Sequence, residues 1–290
     1  MRICSLLPSA TEIVVDLGLG DALVGVSEEC RMPTVPVVTA ARIDSASLSS
    51  AEIDDAVRNA LRDGRSLYAV DADLIETLRP DVIVTQDLCA VCAVSSTELT
   101  GVCAVDAEVI SLDPRTLEEV AQSVRMLARK LGVAERGDTI AAEMRATIEE
   151  AAASVRGQPE RRVFFAEWID PPFCAGHWLP EMIALAGGAD VLGRAGEPSR
   201  STSWREVLAL EPELVILGPC GFDAAEAATR AAGFELPVPA VAVDGDSYYS
   251  RPAPRLAEGV RQLAHLLHPE HAPDPGLPGI PLPAGLARTL

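Results

Sequence analysis

The densest chemistry in this chain lies within residues 166–178, which read Ala-Glu-Trp-Ile-Asp-Pro-Pro-Phe-Cys-Ala-Gly-His-Trp. Two of the three tryptophans, Trp168 and Trp178, fall here with Glu167 and with His177, one of four histidines. Flat indole faces suit a planar macrocycle or an aromatic ring. His177 is a candidate ligand for a metal centre, or a histidine that is merely hydrogen-bonded. Pro171 and Pro172 fix the backbone, so neighbouring side chains are presented at low entropic cost. Glu167, if buried, needs a cation, and Arg251 or Arg205 can supply one. A second cluster is Ser247-Tyr248-Tyr249-Ser250-Arg251. Tyr248 and Tyr249 offer stacking, and Arg251 recognises a carboxylate or phosphate. The plainer reading of this cluster is packing beneath a final helix over 255–267. Trp204, at a predicted helix start after Ser201-Thr202-Ser203, is a further candidate for a ligand wall.

The amino-terminal part carries other candidates. In Pro8-Ser9-Ala10-Thr11 the start of a helix suits a phosphate or propionate through free backbone N–H groups and the Ser9 hydroxyl, unless Ser9 simply caps the helix. Residues 27–31, Ser-Glu-Glu-Cys-Arg, could meet a cation or metal but also read as a solvated acidic turn. Gln86 opens a loop holding Cys89 and Cys92. Such a pair just after a parallel strand binds a soft metal such as zinc, or cycles as a dithiol. A closed zinc site needs two more ligands; Cys103 and Cys30 are the nearest in sequence, and small cysteines filling a tight turn are the alternative. No Gly-rich phosphate loop, His-Glu-x-x-His or Gly-x-Ser-x-Gly motif is present.

The elements that must position these residues repeat. The segment 12–21, Glu-Ile-Val-Val-Asp-Leu-Gly-Leu-Gly-Asp, echoes 181–190, Glu-Met-Ile-Ala-Leu-Ala-Gly-Gly-Ala-Asp. Each predicts a helix closed by a glycine that turns left-handed. Leu78-Arg79-Pro80-Asp81-Val82-Ile83-Val84 likewise echoes Leu210-Glu211-Pro212-Glu213-Leu214-Val215-Ile216, a helix stopped near proline and then a buried parallel strand. Two α/β lobes follow, over 1–112 and 160–268. Between them, 113–159 predicts helix, with Asp113 as N-cap, Pro114 at the first helical position and Gly132 as a break. The tail 269–290 is rich in proline and glycine and is expected to wrap a surface or lie disordered.

Composition narrows the partners. At 290 residues the chain can bury two cores. A net charge of −19 argues against nucleic acid and anionic membrane surfaces, and no apolar run is long enough for membrane insertion. Seven scattered cysteines and the lack of an apolar leader at the start predict a reduced, cytoplasmic protein.

The opening Ile3-Cys4-Ser5-Leu6-Leu7-Pro8-Ser9-Ala10-Thr11-Glu12-Ile13, then Leu17-Gly18-Leu19-Gly20-Asp21 and Val24-Gly25-Val26-Ser27, resembles the helical-backbone, cobalamin-type solute-binding proteins of ABC importers. Pro80-Asp81-Val82-Ile83, Pro212-Glu213-Leu214-Val215 and Val243-Asp244-Gly245-Asp246-Ser247-Tyr248-Tyr249-Ser250-Arg251-Pro252 are similar to later parts of that family. The resemblance implies two Rossmann-like lobes with parallel sheets, joined by a long backbone helix, with a ligand cleft between the lobes. It implies non-catalytic binding of a corrinoid (cobalamin-like) or related metal chelate, and an ABC permease as possible partner. Lobe 1 would supply Ser9 and Gln86, with Cys89 and Cys92; lobe 2 would supply Glu167, Trp168, His177, Trp178, Trp204, Tyr248, Tyr249 and Arg251. The competing expectation is a cytosolic enzyme or cofactor-handling protein that uses Cys89 and Cys92 with His177 or Glu167.

Overall fold

A computed structural model describes residues 1–88, 94, 99, 106–234 and 236–283. The chain divides into two compact units, one of residues 1–114 with 122–140 and the other of residues 115–121 with 141–290.

Unit 1 is built on a four-stranded parallel sheet in the order β2-β1-β5-β6, from β1 (Ile3–Ser5), β2 (Leu23–Val26), β5 (Val82–Thr85) and β6 (Glu108–Ser111). Its central strands are apolar on both faces, as a sheet covered on both sides requires; Ile3, Cys4, Ile83 and Val84 are all buried. Helix α1 (Pro8–Asp16) follows β1 directly. Beyond it lie a two-stranded antiparallel pair, β3 (Thr39–Ala41) and β4 (Tyr68–Val70), and helices α2 (Ser50–Arg62) and α3 (Ala72–Leu78). A capping box between Ser49 and Glu52 starts α2.

Helices α4 (Leu117–Lys130) and α5 (Ala134–Ser154) carry the chain from one unit to the other, each contributing residues to both. They pack closely at Gly137, where a Cβ would lie 2.3 Å from that of Ala128, and Gly132 turns left-handed between them at φ +79°. Asp113 does not cap α4. Thr116 takes that role, its Oγ1 accepting from the Glu119 N–H at 3.2 Å. Asp113 instead accepts from the Asp87 N–H and lies 2.7 Å from the Ser111 hydroxyl.

Unit 2 holds a six-stranded sheet. Strands β7 (Arg161–Ile169), β10 (Leu214–Leu217) and β11 (Ala240–Val243) run parallel, as does β9 (Gly188–Asp190) beside the start of β7. Two further partners are antiparallel and flank this parallel core. They are β8 (Pro172–Cys174), a hairpin return on β7, and β12 (Gly279–Leu282), which pairs with β11. Residues 279–282 of the Pro-rich tail therefore extend a sheet. Pro281 is tolerated because this is an edge strand, and Gln262 Nε2 donates to the Pro278 carbonyl at 2.9 Å. Helices α6 (Leu179–Leu185), α7 (Trp204–Ala209), α8 (Ala224–Ala231), the single turn α9 (Gly245–Tyr248) and α10 (Leu256–Leu267) complete the unit.

Both predicted echoes persist in the backbone. Gly18 and Gly187 close α1 and α6 at φ +78° and +81°. Arg79 and Glu211, each just before a proline, adopt φ +44° and +51°, because proline bars its predecessor from the right-handed helical region.

Candidate functional site

In unit 2 the loops leaving β10 and β11 bond to each other and to the end of β7 through their backbones. The Cys220 N–H donates to the Glu167 carbonyl at 3.0 Å and the Asp246 N–H to the Phe222 carbonyl at 3.1 Å. Gly245 allows the closest approach; a Cβ there would sit 2.4 Å from the Pro219 carbonyl oxygen. Trp168 lies near the carboxyl end of β7, half-buried, with its ring centroid 5.6 Å from that of Phe222. The Arg230 guanidinium covers the Phe222 ring at 3.9 Å, a cation–π stack behind the tryptophan.

His177 occupies a strained left-handed turn, φ +51°, held by its N–H donating to the Glu197 carbonyl at 2.7 Å and its carbonyl accepting from the Gly196 N–H. Its ring is half-buried, 5.7 Å from the Trp178 ring. Burial, and then the charge of Arg115, push the imidazole below its usual range, so it is neutral near pH 7. A neutral imidazole keeps a lone pair for a metal or a proton donor.

Arg251 pairs with Asp246 through two contacts, Nε–Oδ1 at 3.1 Å and Nη2–Oδ2 at 2.5 Å. The suggested pairing of Glu167 with Arg251 or Arg205 thus gives way to other bonds. Glu167 Oε1 accepts from the Gly176 N–H at 2.6 Å and braces the turn that leads to His177. Tyr248 is half-buried beside Arg255.

Three candidate aromatics are committed to the core. Trp204 packs edge-on against Phe164 and donates from Nε1 to the Ile169 carbonyl at 3.1 Å. Tyr249 is fully buried, and its hydroxyl donates to Gln262 Oε1 at 2.7 Å. Burial pushes that phenol well above its usual range. Trp178 is 5% exposed and donates from Nε1 to the Tyr249 carbonyl. In each case the ring is enclosed because its one polar atom has found a backbone or amide partner.

In unit 1, Leu7 is the N-cap of α1, so Ser9 lies inside the first turn and does not cap it. Ser9 is 2% exposed and Gln86 5% exposed. Cys30 sits 3.0 Å from Thr11 Oγ1 and 3.3 Å from Ser27 Oγ, which ties the acidic turn to α1. Cys89, Cys92 and Cys103 lie outside the described residues. Among the described residues no group of three His, Cys, Asp or Glu side chains is placed to hold a metal ion.

Sequence reasoning missed Phe222 and Asp246. The signal was available. Gly218-Pro219-Cys220-Gly221-Phe222 directly follows the second echoed strand, the position at which parallel strands deliver binding loops.

Parallel strands that deliver aromatic, imidazole and guanidinium groups on their exit loops define an α/β protein of the ligand-binding class. The chain belongs to the periplasmic binding protein family, whose profile matches residues 3–241. Members bind small-molecule solutes and work with ABC permeases. A vitamin B12-binding protein of Vibrio cholerae is 24% identical over 216 residues, covering 74% of this chain and 69% of its own. The crystal structure of a periplasmic vitamin B12 binding protein of Vibrio cholerae matches with a TM-score of 0.64 at 22% identity, covering 92% of this chain and 96% of that one. A periplasmic haem-binding protein of Pseudomonas aeruginosa matches with a TM-score of 0.68 at 19% identity, over 99% of each chain.

These relatives correct the expected cytoplasmic location. The family and its named members are periplasmic, which points to the periplasm. The cytoplasmic reading rested on the opening residues and the cysteine count, and neither reports where a solute is met. Zinc and a thiol-based enzyme find no support among the relatives.

Proposed function

We propose that this chain binds a corrinoid without turning it over, with Trp168, His177, Tyr248 and Arg251 of unit 2 as ligand contacts. The relatives named as vitamin B12-binding proteins support the ligand class. The observation that carries the assignment of residues is the Trp168 platform: a half-buried indole at the end of β7, backed by Phe222 and Arg230. An aromatic face fixed in this way meets a macrocycle with little ordering left to complete. The neutral His177 imidazole is suited to a metal centre or a hydrogen bond. Glu167, Trp178, Trp204 and Tyr249 act behind these residues, holding the loops.

Titration with cyanocobalamin, cobinamide and haemin, followed by visible absorbance and tryptophan fluorescence, tests the reading. Corrinoid binding is expected, weakened roughly ten- to a hundred-fold by Trp168→Ala, the usual cost of removing a central aromatic anchor. Saturable haemin binding with no corrinoid uptake would replace the ligand assignment. Equal corrinoid affinity in Trp168→Ala would remove the platform from the site.

A further inference from the structure

Unlike Arg79 and Glu211, His177 has no proline after it to account for its left-handed backbone, φ +51°. That region is disfavoured for an L residue and persists only where the surroundings fix it. Here the fixing comes from residues 191–200, a segment of unit 2 without helix or strand. The Glu197 carbonyl accepts from the His177 N–H at 2.7 Å, and the Gly196 N–H donates to the His177 carbonyl at 2.8 Å. The Ser199 hydroxyl donates to the Cys174 carbonyl at 2.6 Å, and the Arg200 carbonyl accepts from the Cys174 N–H at 3.0 Å. Gly176 makes room for this contact, since a Cβ there would collide with the Ser199 backbone.

Burial does little to hold this segment in place. Val191 and Leu192 pack against the core, but Arg194, Ala195, Glu197, Pro198 and Arg200 are exposed. Its course therefore depends on backbone bonds and on the direction in which it starts. Asp190 sets that direction. It ends β9, and the next residue is tied to β7 by the Val191 N–H donating to the Val163 carbonyl at 2.8 Å. Asp190 Oδ1 accepts from the Leu192 N–H at 2.8 Å and from the Gly193 N–H. Gly193 lies between this carboxyl and Ala175; a Cβ there would sit 2.9 Å from Asp190 Oδ1 and 2.8 Å from the Ala175 carbonyl oxygen. One carboxyl thus folds the chain back onto the residue two places before His177. With its other oxygen sealed from solvent, it is a costly acceptor for two N–H groups, and what it secures is the path of 191–200.

We infer that Asp190 is a positioning residue for His177: by folding 191–200 back onto 174–177 it holds the imidazole where the ligand meets it. The inference rests on the reading of His177 as a ligand contact and adds the group that orients this contact.

The test compares the full chain with Asp190→Ala, Asp190→Asn and Ser199→Ala, each made with and without His177→Ala, and cyanocobalamin is the probe. Asp190→Ala is expected to weaken binding roughly tenfold when His177 is present and less than about twofold when it is absent. Asp190→Asn, which keeps an oxygen for the two N–H donors, is expected to restore most of the affinity. In the ligand-free chain the His177 imidazole resonance, assigned through His177→Ala, is expected to move in Asp190→Ala while those of His265 and His271 stay in place. Where thermal melts show Asp190→Ala to be poorly folded, Ser199→Ala, a milder change at the far end of the same segment, is expected to move the same resonance. A His177 resonance unmoved in both variants overturns the role. So does an equal loss of affinity with and without the imidazole, which would make Asp190 a support of the fold alone. Failure of the wild-type chain to bind cyanocobalamin overturns the corrinoid reading, and the resonance then decides the positioning of His177 by itself.

Discussion

Asp190 shows what one buried carboxyl does to this molecule. Its Oδ1 accepts the Leu192 N–H at 2.8 Å and the Gly193 N–H, which starts the loop toward Ser199. Its Oδ2 is sealed and makes no well-formed hydrogen bond, although the Phe165 backbone also faces the carboxyl. Burial outweighs those backbone bonds and raises the carboxyl above its ordinary range. The folded state therefore holds its proton at a pH where the unfolded chain has released it. The resulting stability is complete below the unfolded pKa and is lost as pH rises through the folded one. Urea melts from pH 4 upward should show this decline in the wild-type chain, and Asp190→Asn, which cannot ionise, should lack it. Identical pH profiles for the two would mean that the carboxyl ionises freely in the native state. Nothing in the sequence marked this aspartate, because its environment comes from β7 and β9 pairing at Val163. The same limit applies to Trp204 and Tyr249. Aromatic type alone does not say whether a ring faces a ligand or finds an amide partner inside, as Tyr249 does at Gln262.

The elements were more legible, because glycine and proline restrict the backbone before any packing occurs. Gly18 and Gly187 were expected to turn left-handed at helix ends and do so. The two positions differ in their surroundings, and that difference can be measured. At Gly18 an added Cβ meets nothing within 4 Å; at Gly187 it would lie 2.5 Å from His268 Nε2. That imidazole nitrogen is also 3.1 Å from the Gly187 carbonyl oxygen. Gly18→Ala should therefore lose only the left-handed preference, about 1 kcal/mol. Gly187→Ala should lose that and the His268 contact, about 2–4 kcal/mol in all. Chemical denaturation of both variants gives the comparison, and equal losses would contradict the close contact at Gly187. The antiparallel strands β8 and β12 were not legible. Pro172 and Pro281 both sit within them, and proline reads as a breaker until an edge is available where its missing N–H is tolerated. Asp113-Pro114 misled for a related reason. It has the form of a helix start, but the Asp113 carboxylate was claimed by the Asp87 N–H and the Ser111 hydroxyl.

At the scale of the molecule, the chain does not divide where its sequence pattern changes. The echoed β-α segments announced two α/β units, and the 113–159 stretch read as a connector. Each unit instead takes helical residues from that stretch, 122–140 for unit 1 and 115–121 with 141–154 for unit 2. The reason lies in burial: Val124, Leu127 and Ala128 on α4 are fully buried, and Leu131 and Ile140 nearly so. Unit 1 is tied to this helical wall by polar contacts as well. Arg136 Nε donates to the Asp16 carbonyl at 3.1 Å, and Lys130 Nζ reaches Glu108 Oε1 at 2.6 Å. Exposed ion pairs of this kind contribute little, so the apolar residues must carry the attachment. Burying each valine, leucine or isoleucine stabilises by about 1.5–3 kcal/mol, and the sum is comparable with the whole stability of a small domain. A fragment of residues 1–140 should therefore melt cooperatively, followed by circular dichroism, and resist limited proteolysis. A fragment of residues 1–114 should do neither, although it retains every strand of the unit 1 sheet. Cooperative melting of the shorter fragment at the same temperature would assign 122–140 to a linker and return the boundary to the place where the sequence pattern put it.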